Sequence, residues 1–97
     1  MNRNYYAVLP ASVRHDKRLT PSAKLLYAEI AVMCNDKGFC DATNRYFAEA
    51  YGVSKPSIYS WLKNLKENGY IYMKFFYLPN GRAIESRQIF LKAVVPD

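Results

Sequence analysis

Cysteine is scarce. The 97 residues hold two, Cys34 and Cys40, beside a single histidine, His15. That number and spacing give no disulfide framework, no paired metal-ligand motif and no CxxC redox pair. His15 with the two cysteines makes three ligands without paired spacing, so no metal site is assigned. Acidic residues are also few, 8 against 14 lysines and arginines, for a formal charge of +6. The excess favours an anionic partner, with nucleic acid ahead of acidic membrane or acidic protein. No apolar run approaches the roughly 20 residues that span a bilayer. The opening "MNRNYYAVLPAS" lacks a signal-peptide pattern, since Pro10 ends its short apolar stretch. These features read as a cytoplasmic, soluble chain without a membrane partner.

A catalytic constellation is missing as well. His15 and Asp16 lie beside Ser12, but only as local neighbours, with no oxyanion-hole signature or second acid. The chain is read as non-enzymatic and free of cofactors. It has no internal repeat and no low-complexity linker. Its length suits one domain, 1–97, either complete or the first domain of something longer.

What the sequence has is apolar and aromatic mass, 51% hydrophobic with nine tyrosines and five phenylalanines. Most of those rings belong in a core. "NYYAVLP" reads as an extended arm packing Tyr6 and Val8, and Pro10 opens a short helix through Ala11 to His15. The "RHDKR" that follows is a basic exposed patch, with Arg14, Lys17 and Arg18 as further phosphate contacts. Thr20-Pro21 is an N-cap with proline in the first helical position. Leu26, Tyr27, Ile30 and Met33 recur at helical steps to about Cys34, and "NDKG" ends that helix. Gly38-Phe39-Cys40 is long enough only for an edge strand.

Thr43 is the next N-cap, with Tyr46, Phe47 and Ala50 as the buried side of a short helix ending at Tyr51. Gly52 supplies a positive backbone angle for a tight turn. Val53 points inward and Ser54 caps the following helix, whose first turn tolerates Pro56. Ile58, Trp61, Leu62 and Leu65 form its apolar stripe, and Asn68-Gly69 closes it. The period then becomes two: Ile71, Met73 and Phe75 share one face, Tyr72 and Lys74 the other. "LPNGR" is a turn with Pro79 second and Gly81 fourth, and "AIESRQIFLKAV" returns as the second strand.

A short helix, a glycine turn, a longer helix and a hairpin with a basic tip follow the order of an α+β winged helix-turn-helix. Three main helices, a two-stranded wing and an N-terminal arm make up the expected fold. Ala48, four residues before Gly52, is the small residue that lets two helices cross closely. With the apolar stripe inward, Ser54, Lys55, Ser57, Tyr59, Ser60 and Lys63 face outward, with Asn64 at the margin. Such a helix fits the major groove, where its hydroxyls and Asn64 reach bases and its lysines neutralise phosphates. Neither arginine nor glutamine stands on this face, so DNA shape carries part of any specificity. From Val53 to Arg82, Lys55, Lys63, Lys66, Lys74 and Arg82 are opposed by Glu67 alone. On the wing, Lys74, Asn80, Gly81 and Arg82 suit the backbone or a narrow minor groove. Asn44 and Arg45 suit phosphate at the start of the helper helix.

Two stretches, "YAVLPASVRHDKRLTPSAKLLYAEI" and "NRYFAEAYGVSKPSIYSWLKNLKENGYI", carry a resemblance. They resemble the N-terminal helix-turn-helix domain of replication initiators and replisome organisers of Gram-positive phages, plasmids and related mobile elements, over about residues 5–75. The resemblance implies binding of double-stranded origin DNA, commonly at repeats and as a homodimer. It also implies a following C-terminal region that recruits helicase-loading proteins, which this sequence, ending at Asp97, does not include. A winged-helix transcriptional repressor needs the same surface, and a protein-interaction winged helix would use the tyrosine-rich face instead.

Overall fold

A computed structural model describes residues 9–92 of the chain. The expected arm lies outside them, apart from its last residues Leu9 and Pro10. The described chain runs α1 (Ala11–Arg14), α2 (Pro21–Lys37), α3 (Asn44–Tyr51), α4 (Lys55–Glu67), β1 (Ile71–Tyr77) and β2 (Ile84–Leu91). This is the α+β winged helix-turn-helix.

Local chemistry sets the helix starts. The hydroxyls of Thr20, Thr43 and Ser54 accept from the amides of Ala23, Tyr46 and Ser57, each satisfying a donor the first turn would leave unpaired. Each such cap stabilises its helix by about 1 kcal/mol. α2 does not stop near Cys34 as expected. It continues through Asn35, Asp36 and Lys37 and is capped by Gly38 at φ 88°. Polar residues on an exposed flank do not break a helix; the left-handed cap does.

Between α3 and α4, Gly52 takes φ 67°, and its amide and that of Val53 both donate to the Ala48 carbonyl. α3 buries Phe47 and Ala48, whereas Tyr46 is 48% exposed and Ala50 is also exposed. The inward side of α3 is thus rotated from the Tyr46, Phe47, Ala50 reading, because Ala48 must face α4 for the helices to approach. Trp61 is half-buried, edge-on to Tyr51 at 6.0 Å, while Ile58, Leu62 and Leu65 are buried.

The hairpin pairs β1 and β2 antiparallel, Ile71 opposite Leu91, Met73 opposite Ile89 and Phe75 opposite Arg87. Its turn has the expected form: the Gly81 amide donates to the Leu78 carbonyl at 2.8 Å, placing Pro79 second and Gly81 fourth. The register shifts between Phe76 and Tyr77. The Cys34–Cys40 segment ends on the sheet, where Cys40 and Ile89 exchange two 2.8 Å backbone bonds as an isolated bridge. The core gathers Val13, Leu26, Ile30, Phe47, Ile58, Leu65, Ile71 and Ile89, none more than 1% exposed. Alternation of the wing holds only at its base: Ile71 is buried and Met73 half-buried, but Phe75 is 40% exposed. Among the described residues no helix is long and apolar enough to cross a membrane.

Candidate nucleic-acid interface

Burial of Ile58, Leu62 and Leu65 fixes the rotation of α4 and thereby decides what its other side presents. Lys55, Tyr59, Ser60 and Lys63 are exposed, Tyr59 by 63%. Ser54 and Ser57 are tied to one another, their hydroxyls 3.1 Å apart. Ser57 is half-buried and sits at the edge of the exposed strip. Lys63 lies 4.0 Å from Glu67, an exposed pair that water screens and that leaves the ammonium accessible.

Asn64 departs from its expected place among the readers. Its Nδ2 donates to the Arg18 carbonyl at 3.1 Å and its Oδ1 accepts from the Thr20 amide at 3.0 Å. Both ends of the amide are used to hold the segment before α2 against α4. This is a packing role, since a bidentate base contact would need both groups at once.

A cleft of about 310 Å³ opens between α4 and the wing. Tyr59, Lys63 and Lys66 line one wall, Met73, Phe75 and Ile84 the other, with Arg87 and Asn44 also at its lining. It holds three cationic side chains and no acidic one. Arg87 escapes a motif-based reading. Its guanidinium donates to Asn44 Oδ1 and to the Ala42 carbonyl, each at 2.8 Å. Burial lowers its proton affinity from the usual arginine value. One signal was available: Arg87 shares strand parity with Ile89 and Leu91, the inward side.

The helper-helix residues are partly occupied by these contacts. Asn44 serves Arg87, and Arg45 pairs with Glu49 at 3.1 Å on an exposed surface. At the wing tip, Asn80 Oδ1 accepts from the Arg82 amide at 2.9 Å, Gly81 has φ 70°, and all three residues are exposed. Lys74 lies on the opposite face of the hairpin from the cleft, its Nζ 5.3 Å from the Phe90 ring, which also stacks on Tyr72. The structure therefore gathers Tyr59, Lys63 and Lys66 with one face of the wing, and places Lys74 on the other.

The basic patch before α2 is organised around Asp16. Arg18 grips both carboxylate oxygens, at 3.0 and 2.7 Å, and Tyr70 donates a third bond at 2.6 Å. The Arg18 guanidinium, then the Tyr70 hydroxyl, hold the Asp16 carboxyl far below the usual carboxylate range. Arg14 donates to the Leu9 carbonyl. Asp16 is thus engaged structurally, as are the cysteines: Cys34 Sγ lies 3.5 Å from the Ile89 carbonyl, and Cys40 Sγ lies 3.2 Å from Met33 Sδ. Burial pushes both thiols up.

A family model described as a helix-turn-helix domain matches residues 17–71, from the segment before α2 to the start of β1. The chain belongs to this helix-turn-helix family, whose fold suggests DNA binding. No curated protein matches the chain, nor does any solved structure.

Proposed function

We propose that this member of the helix-turn-helix family binds double-stranded DNA by inserting α4 into the major groove. The observation carrying that reading is the exposed strip Lys55, Tyr59, Ser60 and Lys63, continuous with a cleft lined by Lys63 and Lys66 and by no acid. Tyr59, Ser60 and Ser57 approach bases or neighbouring phosphates, and Lys55, Lys63 and Lys66 neutralise phosphates. The tip at Asn80, Gly81 and Arg82 lies along the backbone or a minor groove, and Arg45 reaches the flanking phosphate. A helix-sized projection of fixed rotation supports this docking, because side chains of an α-helix can then meet base edges without remodelling.

The biological role proposed is origin recognition in replication initiation of a phage, plasmid or other mobile element, in the cytoplasm. In that role the domain binds repeats as a homodimer, and a C-terminal region engages helicase-loading proteins. The support is the resemblance of "LTPSAKLLYAEI" and "YFAEAYGVSKPSIYSWLKNLKENGYI" to initiator domains.

Titration of random duplex at several salt concentrations tests the DNA reading. A logarithmic slope of several units is expected, about one per neutralised phosphate. A slope near zero would favour protein interaction instead. Footprinting on the encoding element separates the roles: protection at short repeats inside or beside the gene supports an origin, and protection over a promoter supports a repressor.

A further inference from the structure

α2 is apolar on two sides. One stripe, Ala23, Leu26, Tyr27 and Ile30, enters the core. A second, Leu25, Ala28 and Val32, turns toward α3, with Leu25 exposed, Val32 half-buried, Ala28 buried between them, and Glu29 and Asp36 alongside. Leu25 is 62% exposed, an unusual position for a leucine on a helix that already has a core face. This second stripe floors a groove of about 540 Å³ whose other wall is Tyr46 and Tyr51 from α3.

The groove differs from the rest of the molecule in charge. Its lining holds Glu29 and Asp36 and no cation, in a chain of formal charge +6. The adjoining hollow beyond Tyr46 adds Lys37 and Asp41, paired at 3.0 Å. Glu29 is held in place by the Tyr51 hydroxyl, which donates to its Oε1 at 2.6 Å. Burial and then this carboxylate push the Tyr51 hydroxyl up, so it remains a donor across the accessible pH range.

We infer that the groove between α2 and α3 docks a basic amphipathic helix from another polypeptide. The apolar floor of the groove from Leu25 to Val32 spans two turns, about 10 Å, which suits aliphatic anchors spaced i, i+4 and i+7 on a partner helix. Lysines or arginines beside those anchors meet Glu29 and Asp36, while the cationic remainder of the surface repels the same peptide and steers it here. A second copy of the chain is a poor occupant. Twofold pairing would place Glu29 and Asp36 of both copies together, with nothing in the lining to neutralise them. The groove shares no lining residue with α4 or the wing, so a partner and DNA can be held together.

The probe is a 15-residue helical peptide with leucines at i, i+4 and i+7 flanked by lysines, compared with the same peptide carrying glutamates for lysines. Binding is read from amide chemical shifts of Leu25, Val32 and Tyr46 in the labelled protein. The lysine peptide is expected to bind at least about tenfold more tightly at low salt, with the gap narrowing at high salt. Leu25→Ser, at an exposed position, should weaken it about tenfold without loss of fold. The double change Glu29→Gln, Asp36→Asn should make the two peptides equivalent, since the amide oxygen introduced in place of the Glu29 carboxylate still accepts from Tyr51. Equal binding of both peptides to the unaltered protein, or shifts confined to other surfaces, would overturn the inference. So would sedimentation showing a dimer that Leu25→Ser dissolves, for the occupant would then be a second copy.

Discussion

Arg87 on β2 and Asn44 at the start of α3 meet at 2.8 Å across 43 residues of chain, and the same guanidinium also bonds the Ala42 carbonyl. The wing is thereby fastened to the helper helix from inside the cleft.

Removing that anchor is the first prediction. Arg87→Ala leaves the Ala42 carbonyl and Asn44 without their charged donor and should cost about 2 kcal/mol of stability in urea unfolding. Duplex affinity should fall while the salt slope stays nearly constant, since an inward guanidinium bonded to the protein is not a phosphate contact. A slope reduced by a full unit would place Arg87 on DNA instead.

Asn64 gives a second, opposed test. Asn64→Ala unties the Arg18 carbonyl and the Thr20 amide from α4 and should lower stability by about 1–2 kcal/mol. Discrimination between specific and random duplex should change little. A stable variant with lost discrimination would return Asn64 to the readers.

Lys63 and Tyr59 carry the third and fourth. Lys63→Ala should weaken all duplexes nearly alike and lower the salt slope by about one. Tyr59→Ala should cost specific more than random binding, by about 1–3 kcal/mol. Equal losses on both would make Tyr59 a phosphate contact.

Asp16 contributes to the acid limb of stability. Its folded carboxyl lies well below the unfolded value of about 3.9, so the unfolded chain takes up the proton first as pH falls. The stabilisation is whole above about pH 4 and is lost as acidification continues toward the folded value. Asp16→Asn should therefore lower Tm at pH 7, with the gap to the unaltered protein closing below about pH 4. A gap that is constant with pH would mean the loss is one of packing.

Much of the architecture is legible in the sequence because its signals are local. Thr20, Thr43 and Ser54 cap helices through bonds spanning three residues, Gly52 turns on its own backbone angle, and Pro79 and Gly81 fix a four-residue turn. The exposed strip on α4 follows from the period of Ile58, Leu62 and Leu65. On α3 the Ala48 contact followed from its spacing to Gly52, but the inward placement of Tyr46 and Ala50 did not hold. Helical period alone allows neighbouring faces, and close approach to α4 selects the one that turns Phe47 and Ala48 inward.

The chain order of caps, periods and turns determined which segments are helix, strand or bend, and so the winged helix-turn-helix itself. Tertiary packing alone decided that Asn64 and Arg87 are fasteners, that Leu25 of α2 stays uncovered, and that Phe75 and Ile84 of the wing face α4 across an open cleft. The physical reason is distance along the chain. Hydrogen bonds spanning three or four residues form wherever the local sequence allows them, but those of Asn64 and Arg87 close loops of more than forty residues, and only the packed core sets which groups meet there.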